Sequence, residues 1–105
     1  MAQYDVYRNP TASAREAIPY LVNVQSELLD DLPTRLTVPL GNRIAAPHAG
    51  PKSLCPLIEF DGQALFALPH LAAAFRVRDL GKPQGSVARH ASQLVAAADA
   101  VISGV

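Results

Sequence analysis

Few residues in this chain have types and spacings that could do chemistry. His48, His70 and His90 show neither HExxH nor HxH spacing, and none lies near Cys55. A zinc or other metal site needs ligands that converge, and these positions give no such pattern. Cys55 with a distant histidine would be a nucleophile pair, but a lone cysteine in an apolar run reads first as a small hydrophobic side chain. No GxSxG turn presents a serine nucleophile. Gly41, Gly50, Gly62, Gly81, Gly85 and Gly104 form no phosphate-cradling loop. Glu27, Asp30 and Asp31 make an acidic cluster that reads as a solvated turn. The expectation is a protein that is not an enzyme, with no cofactor and no metal.

Charge narrows the partners. Nine Lys and Arg balance nine Asp and Glu, so no basic field draws the molecule onto nucleic acid, and no direct nucleic-acid binding is expected. The seven arginines (Arg8, Arg15, Arg35, Arg43, Arg76, Arg78, Arg89) are scattered. The single cysteine excludes an internal disulfide and suits a reducing compartment. Asp5 interrupts the opening where a signal peptide needs apolar residues, and no run of about 18 apolar residues could span a bilayer. A cytoplasmic protein without membrane contact is expected. At 105 residues, the chain is expected to be one domain, 1–105.

The elements that must position any site follow from the pattern. Apolar residues make up 50% of the chain, but 18 of them are Ala, so the core must come from the Leu, Val, Ile, Phe and Tyr residues. Alternation predicts strands over residues 4–8, 18–26 and 35–40, with Tyr20, Val22 and Val24 on one face and Leu36, Val38 and Leu40 facing inward. Pro39 suggests an edge position or a bulge. Asp61-Gly62 between two apolar runs, 54–60 and 63–68, predicts a tight hairpin. Residues 75–80 offer one more short strand, and 81–85 end the sheet. From Ser86, a plausible N-cap, to Ile102, the period becomes helical. Val87, Ala91, Leu94, Val95, Ala98, Val101 and Ile102 form one stripe, opposite Arg89, Ser92, Gln93, Ala96, Asp99 and Ser103. Strands followed by one terminal helix give an α+β, mainly β fold, a strongly bent antiparallel barrel with the helix laid on it.

Two features stand outside this economy. Leu28 and Leu29 follow a completed strand and sit among acids; adjacent leucines point to opposite faces if the strand continues, so one risks exposure. The helix runs almost to the last residue, leaving Ser103-Gly104-Val105 as a short tail able to dock on a partner.

In order, these segments resemble the CcdB family of toxins from bacterial toxin–antitoxin pairs. Gln3-Tyr4-Asp5-Val6-Tyr7 is similar to the family's first strand. The longest match is YLVNVQSELLDD at residues 20–31, followed by RLTVPL at 35–40, Arg43-Ile44, and the proline-containing strand at 56–62. The resemblance implies an SH3-like antiparallel β-barrel with a C-terminal α-helix, working as a homodimer. It implies a toxin that binds the DNA gyrase A subunit and traps the cleaved-DNA intermediate, neutralised by a CcdA-like antitoxin. Carried over residue by residue, the gyrase-facing positions are Ser103, Gly104, Val105 and Asp99, together with Ser26, Leu28 and Leu29. Ser103 stands where the family has Trp, and Asp99 where it often has Asn. A buried interface Trp is worth about 2 kcal/mol or more, so the resemblance also allows a relative that binds antitoxin but no longer poisons gyrase. A third reading, a MazF-like endoribonuclease on the same fold, would need Arg15, Arg35 or Arg43 beside a general base.

Overall fold

The longest strand organises the sheet. The computed structural model describes residues 2–47 and 54–104. Among them, β1 (Asp5–Arg8), β2 (Tyr20–Asn23), β3 (Thr34–Gly41), β4 (Leu57–Phe60), β5 (Gln63–Ala67), β6 (Ala73–Arg76) and β7 (Gly85–Ser86) form one antiparallel sheet in the order β4-β5-β3-β2-β1-β7. β3 pairs β2 along one edge, with Val22 opposite Val38. Along its other edge it pairs β6 from Thr34 to Thr37 and then β5 from Leu40 to Gly41.

Pro39 is therefore in a central strand, not at the expected edge. Its carbonyl accepts from the Leu68 N–H at 3.0 Å on the side away from β2. Its missing N–H falls in the interval between β6 and β5, where no ladder bond is lost.

The hairpin joining β4 and β5 forms as the Asp-Gly pair requires. Asp61 and Gly62 have φ of 51° and 75°, both in the left-handed region of a two-residue turn, and Phe60 pairs with Gln63. The sheet then curls until its outer strands approach. Gly85 of β7 stands against the Phe60 ring of β4, where a Cβ would come within 2.8 Å of that ring. Tyr20 meets the same ring edge-on, with centroids 5.0 Å apart. No ladder bond joins β4 to β7 among the described residues, so the architecture is a half-barrel.

The concave side holds the main core: Val6, Val22, Val38, Leu40, Ile58, Leu65, Ala67 and Val87, closed by Leu94 from α2 (Ala91–Ser103). Each Val, Leu or Ile among them contributes about 1.5–3 kcal/mol on burial. The other face is also covered, which simple alternation does not predict. Tyr7 and Leu21 pack with Leu80, and Leu80 lies on α1 (Val77–Leu80), a short helix where the sequence predicts more strand. Leu36 departs the other way. It lies beyond the last β2 pairing, Asn23 with Thr37, and is 43% exposed.

The helix is shorter than its periodicity suggests. Ser86 is not its N-cap: a single 3-10 turn over Ala88–His90 starts from Val87, the Ser86 Oγ accepts from the Ala88 N–H at 3.2 Å, and α2 begins only at Ala91. Leu94 and Ala97 are its buried residues, while Val95, Val101 and Ile102 of the expected apolar stripe face solvent. The helix packs against the turn Pro69–Leu71 and then runs clear of the sheet. No helix among the described residues is long and apolar enough to cross a membrane.

Candidate functional site

Two exposed segments carry the expected docking residues, and different forces hold them. The first follows β2. There the strand gives way to a 3-10 turn over Glu27–Leu29, capped by Ser26, whose Oγ accepts from the Leu28 N–H at 3.2 Å. Ser26 thus shapes the turn. Leu28 is 93% exposed, with Leu29 and Leu32 about half exposed beside it. Residues 26–33 include no buried side chain.

Two polar side chains, Gln25 just past β2 and Arg35 in β3, grip this loop from beneath. The Gln25 amide donates to the carbonyls of Leu29 (3.2 Å) and Thr34 (3.1 Å), and its oxygen accepts from the Leu36 N–H at 2.9 Å. The Arg35 guanidinium donates to the carbonyls of Leu32 (2.7 Å), Thr34 (2.9 Å) and Asp30 (3.0 Å). It also lies 3.7 Å from the Asp30 carboxylate. Arg35 is only 5% exposed; main-chain oxygens take up its two terminal nitrogens, while its buried Nε has no partner among the described residues.

Behind it lies the Tyr7 phenol. Burial pushes Tyr7 above its ordinary range; the Asp5 charge adds to the rise and Arg35 opposes it. Burial likewise raises Tyr20, helped by Asp61, which accepts from its hydroxyl at 3.4 Å.

The second segment is the end of α2. Ile102 is 85% exposed, and Asp99, Ser103 and Gly104 are exposed with it. Ser103 turns back on its own helix, its hydroxyl donating to the Asp99 carbonyl at 2.6 Å. Gly104 adopts φ 76°, ψ 15° as a left-handed cap, and its N–H donates to the Ala100 carbonyl at 2.9 Å. Val105 lies outside the described residues.

The residues considered for chemistry are dispersed. Cys55 is buried ahead of β4 against Ala46, Phe66 and Leu68, an apolar packing role. His70 is exposed on the Pro69–Leu71 turn, His90 shares a 2.5 Å hydrogen bond with Gln93, and His48 lies outside the described residues. Among the described residues, no group of three His, Cys, Asp or Glu is placed to hold a metal ion. The arginines considered for a ribonuclease are separated. Arg43 lies over the Phe66 ring at 4.7 Å, Arg35 serves the loop, and Arg15 donates to the Asn9 carbonyl at 2.5 Å. Arg15 shares a surface hollow with Arg8, Lys82 and Asp79, but the Asp79 carboxylate is paired to Arg76 at 2.9 Å.

Sequence reasoning missed Gln25 and Arg35 as partners. The available signal was that both fall on the strand face opposite the Val22 and Val38 side, where a long polar residue must find acceptors or solvent. The family model described as CcdB protein matches residues 3–104. No curated protein matches the chain at a significant level.

Proposed function

The chain belongs to the CcdB family of toxins from toxin–antitoxin pairs, and from that premise we propose that it binds the DNA gyrase A subunit and holds gyrase on cleaved DNA. It acts by contact, without a reaction centre of its own, in the cytoplasm as a homodimer, and a CcdA-like antitoxin neutralises it. The observation that carries this reading is the pairing of family membership with exposed aliphatic residues at both expected contact segments. Leu28 and Ile102 are exposed by 93% and 85%, although aliphatic side chains lose free energy in water. Leu29 and Gly104 extend the same two surfaces, with Ser26 shaping one and Asp99 placing a charge on the other. The dimer finds support in the half-exposed Leu36, Leu71 and Val95, which sit on β3, the Pro69–Leu71 turn and α2, elements that touch one another through that turn.

The test is a supercoiling assay with gyrase from the protein's own host. Purified protein should inhibit the reaction and accumulate cleaved DNA. Absence of both effects at micromolar concentration would contradict the reading.

One observation favours a second reading, in which antitoxin binding persists and gyrase poisoning is lost. Ser103 occupies the position of the family's Trp and turns its hydroxyl onto its own helix, offering a partner no apolar surface. In that case Ser103→Trp creates growth arrest where the unsubstituted protein causes none. Gyrase-dependent arrest by the unsubstituted protein would end this second reading.

A further inference from the structure

The loop over residues 26–33 poses an energetic question. Fixing a backbone costs about 1–2 kcal/mol per residue, which folded segments normally offset by burying apolar side chains. This segment includes no buried side chain, and it holds three leucines toward water. It is nevertheless tied down at the carbonyls of Leu29, Asp30, Leu32 and Thr34. All of those ties come from two side chains, Gln25 at the exit of β2 and Arg35 near the start of β3. Arg35 accepts near-complete burial of its charge to make its share. Order that stabilises no core has its use in binding, because a surface fixed before contact loses no conformational freedom on docking.

We infer that Gln25 and Arg35 are positioning residues that hold the leucine loop in its docking conformation in the free toxin. They need not touch gyrase; they act through Leu28 and Leu29. The inference rests on the gyrase reading for the identity of the partner, and on the hydrogen bonds alone for the clamp itself.

Gln25→Glu separates the clamp from the fold. It keeps an oxygen to accept from the Leu36 N–H, so the start of β3 is preserved. It removes the donor and sets a carboxylate against the Leu29 and Thr34 carbonyls. Arg35→Met is the companion change, removing three donors while keeping an unbranched chain. Amide hydrogen exchange would be read at Leu29, Asp30 and Leu32, whose N–H groups bond within the loop. Exchange there should quicken about tenfold or more in Gln25→Glu, with the α2 amides unchanged. The midpoint for gyrase inhibition should rise about tenfold. The decisive readout is coupling: Leu28→Ala should weaken inhibition strongly in the unsubstituted protein and little in Gln25→Glu, because an unheld loop no longer presents Leu28.

Loosened exchange with unchanged inhibition would overturn the positioning role, as would additive effects of the two substitutions. Unchanged exchange would overturn the clamp. If the unsubstituted protein leaves gyrase untouched, the functional reading falls and takes the docking role with it, and exchange still decides whether the clamp exists. Should Arg35→Met fail to fold, Gln25→Glu alone carries every arm of the test.

Discussion

The loop after β2 and the end of α2 both present aliphatic side chains to water, yet they are built on opposite principles. The loop has no hydrophobic anchor and is held by polar side chains reaching its main chain. The helix end has an anchor one or two turns back, at Leu94 and Ala97, and beyond it only its own helical hydrogen bonds and a glycine cap. The loop is thus a fixed surface, and the helix end a projecting tip rooted in the core. A protein can present apolar contacts by either route; what differs is where a substitution is felt.

The largest expected effect lies at the root of the tip. Leu94 is 3% exposed and closes the main core, so Leu94→Ala should lower unfolding free energy by about 3 kcal/mol. Ile102→Ala, two turns further on, should change it by about 0.5 kcal/mol or less. Urea unfolding of both variants measures the contrast, and equal losses would break it. Next comes the clamp. Arg35→Ala strands carbonyls that the guanidinium now satisfies and should cost about 2 kcal/mol in the same experiment. A neutral result would mean that solvent replaces the arginine without loss and that the loop is not held as described.

Gly104→Ala should cost about 1 kcal/mol, because its φ of 76° strains any residue with a Cβ. The helical circular dichroism of the last turn should weaken with it. The smallest effect concerns pH. The Tyr7 and Tyr20 phenols are both raised, so the folded chain keeps their protons after the unfolded chain starts to release them. Their contribution is fully present below pH about 10 and is lost as pH rises through the folded-state values. Tyr7→Phe should flatten part of that alkaline decline. An unchanged slope would show that the phenol behind Arg35 is not the group responsible.

Much of this was readable in the residues because it depends on local chemistry. Asp61-Gly62 specifies its turn, the alternation of Tyr20, Val22 and Val24 specifies the concave face, and the YLVNVQSELLDD stretch carries the family pattern. The sequence puts one of Leu28 and Leu29 at risk of exposure; in the structure both are exposed. What stayed hidden depends on pairing across distance. Pro39 reads as an edge or bulge residue because the handover from β6 to β5 along one strand leaves no trace in its neighbours. Leu36, Val95 and Ile102 keep the period of the buried stripe, but the core does not reach them: Leu36 lies past the last β2 pairing, and α2 is buried only at Leu94 and Ala97. Arg35 looked like one of several scattered cations, since its acceptors are main-chain oxygens that no side-chain pattern reveals.

The most direct measurement is a binding titration of purified gyrase A subunit with the unsubstituted protein and with Leu28→Asp. The substituted position buries nothing, so the two should share one melting temperature. Measurable affinity that falls at least about tenfold in Leu28→Asp is the expected result. Equal affinity for both, at equal stability, would contradict docking through the leucine loop.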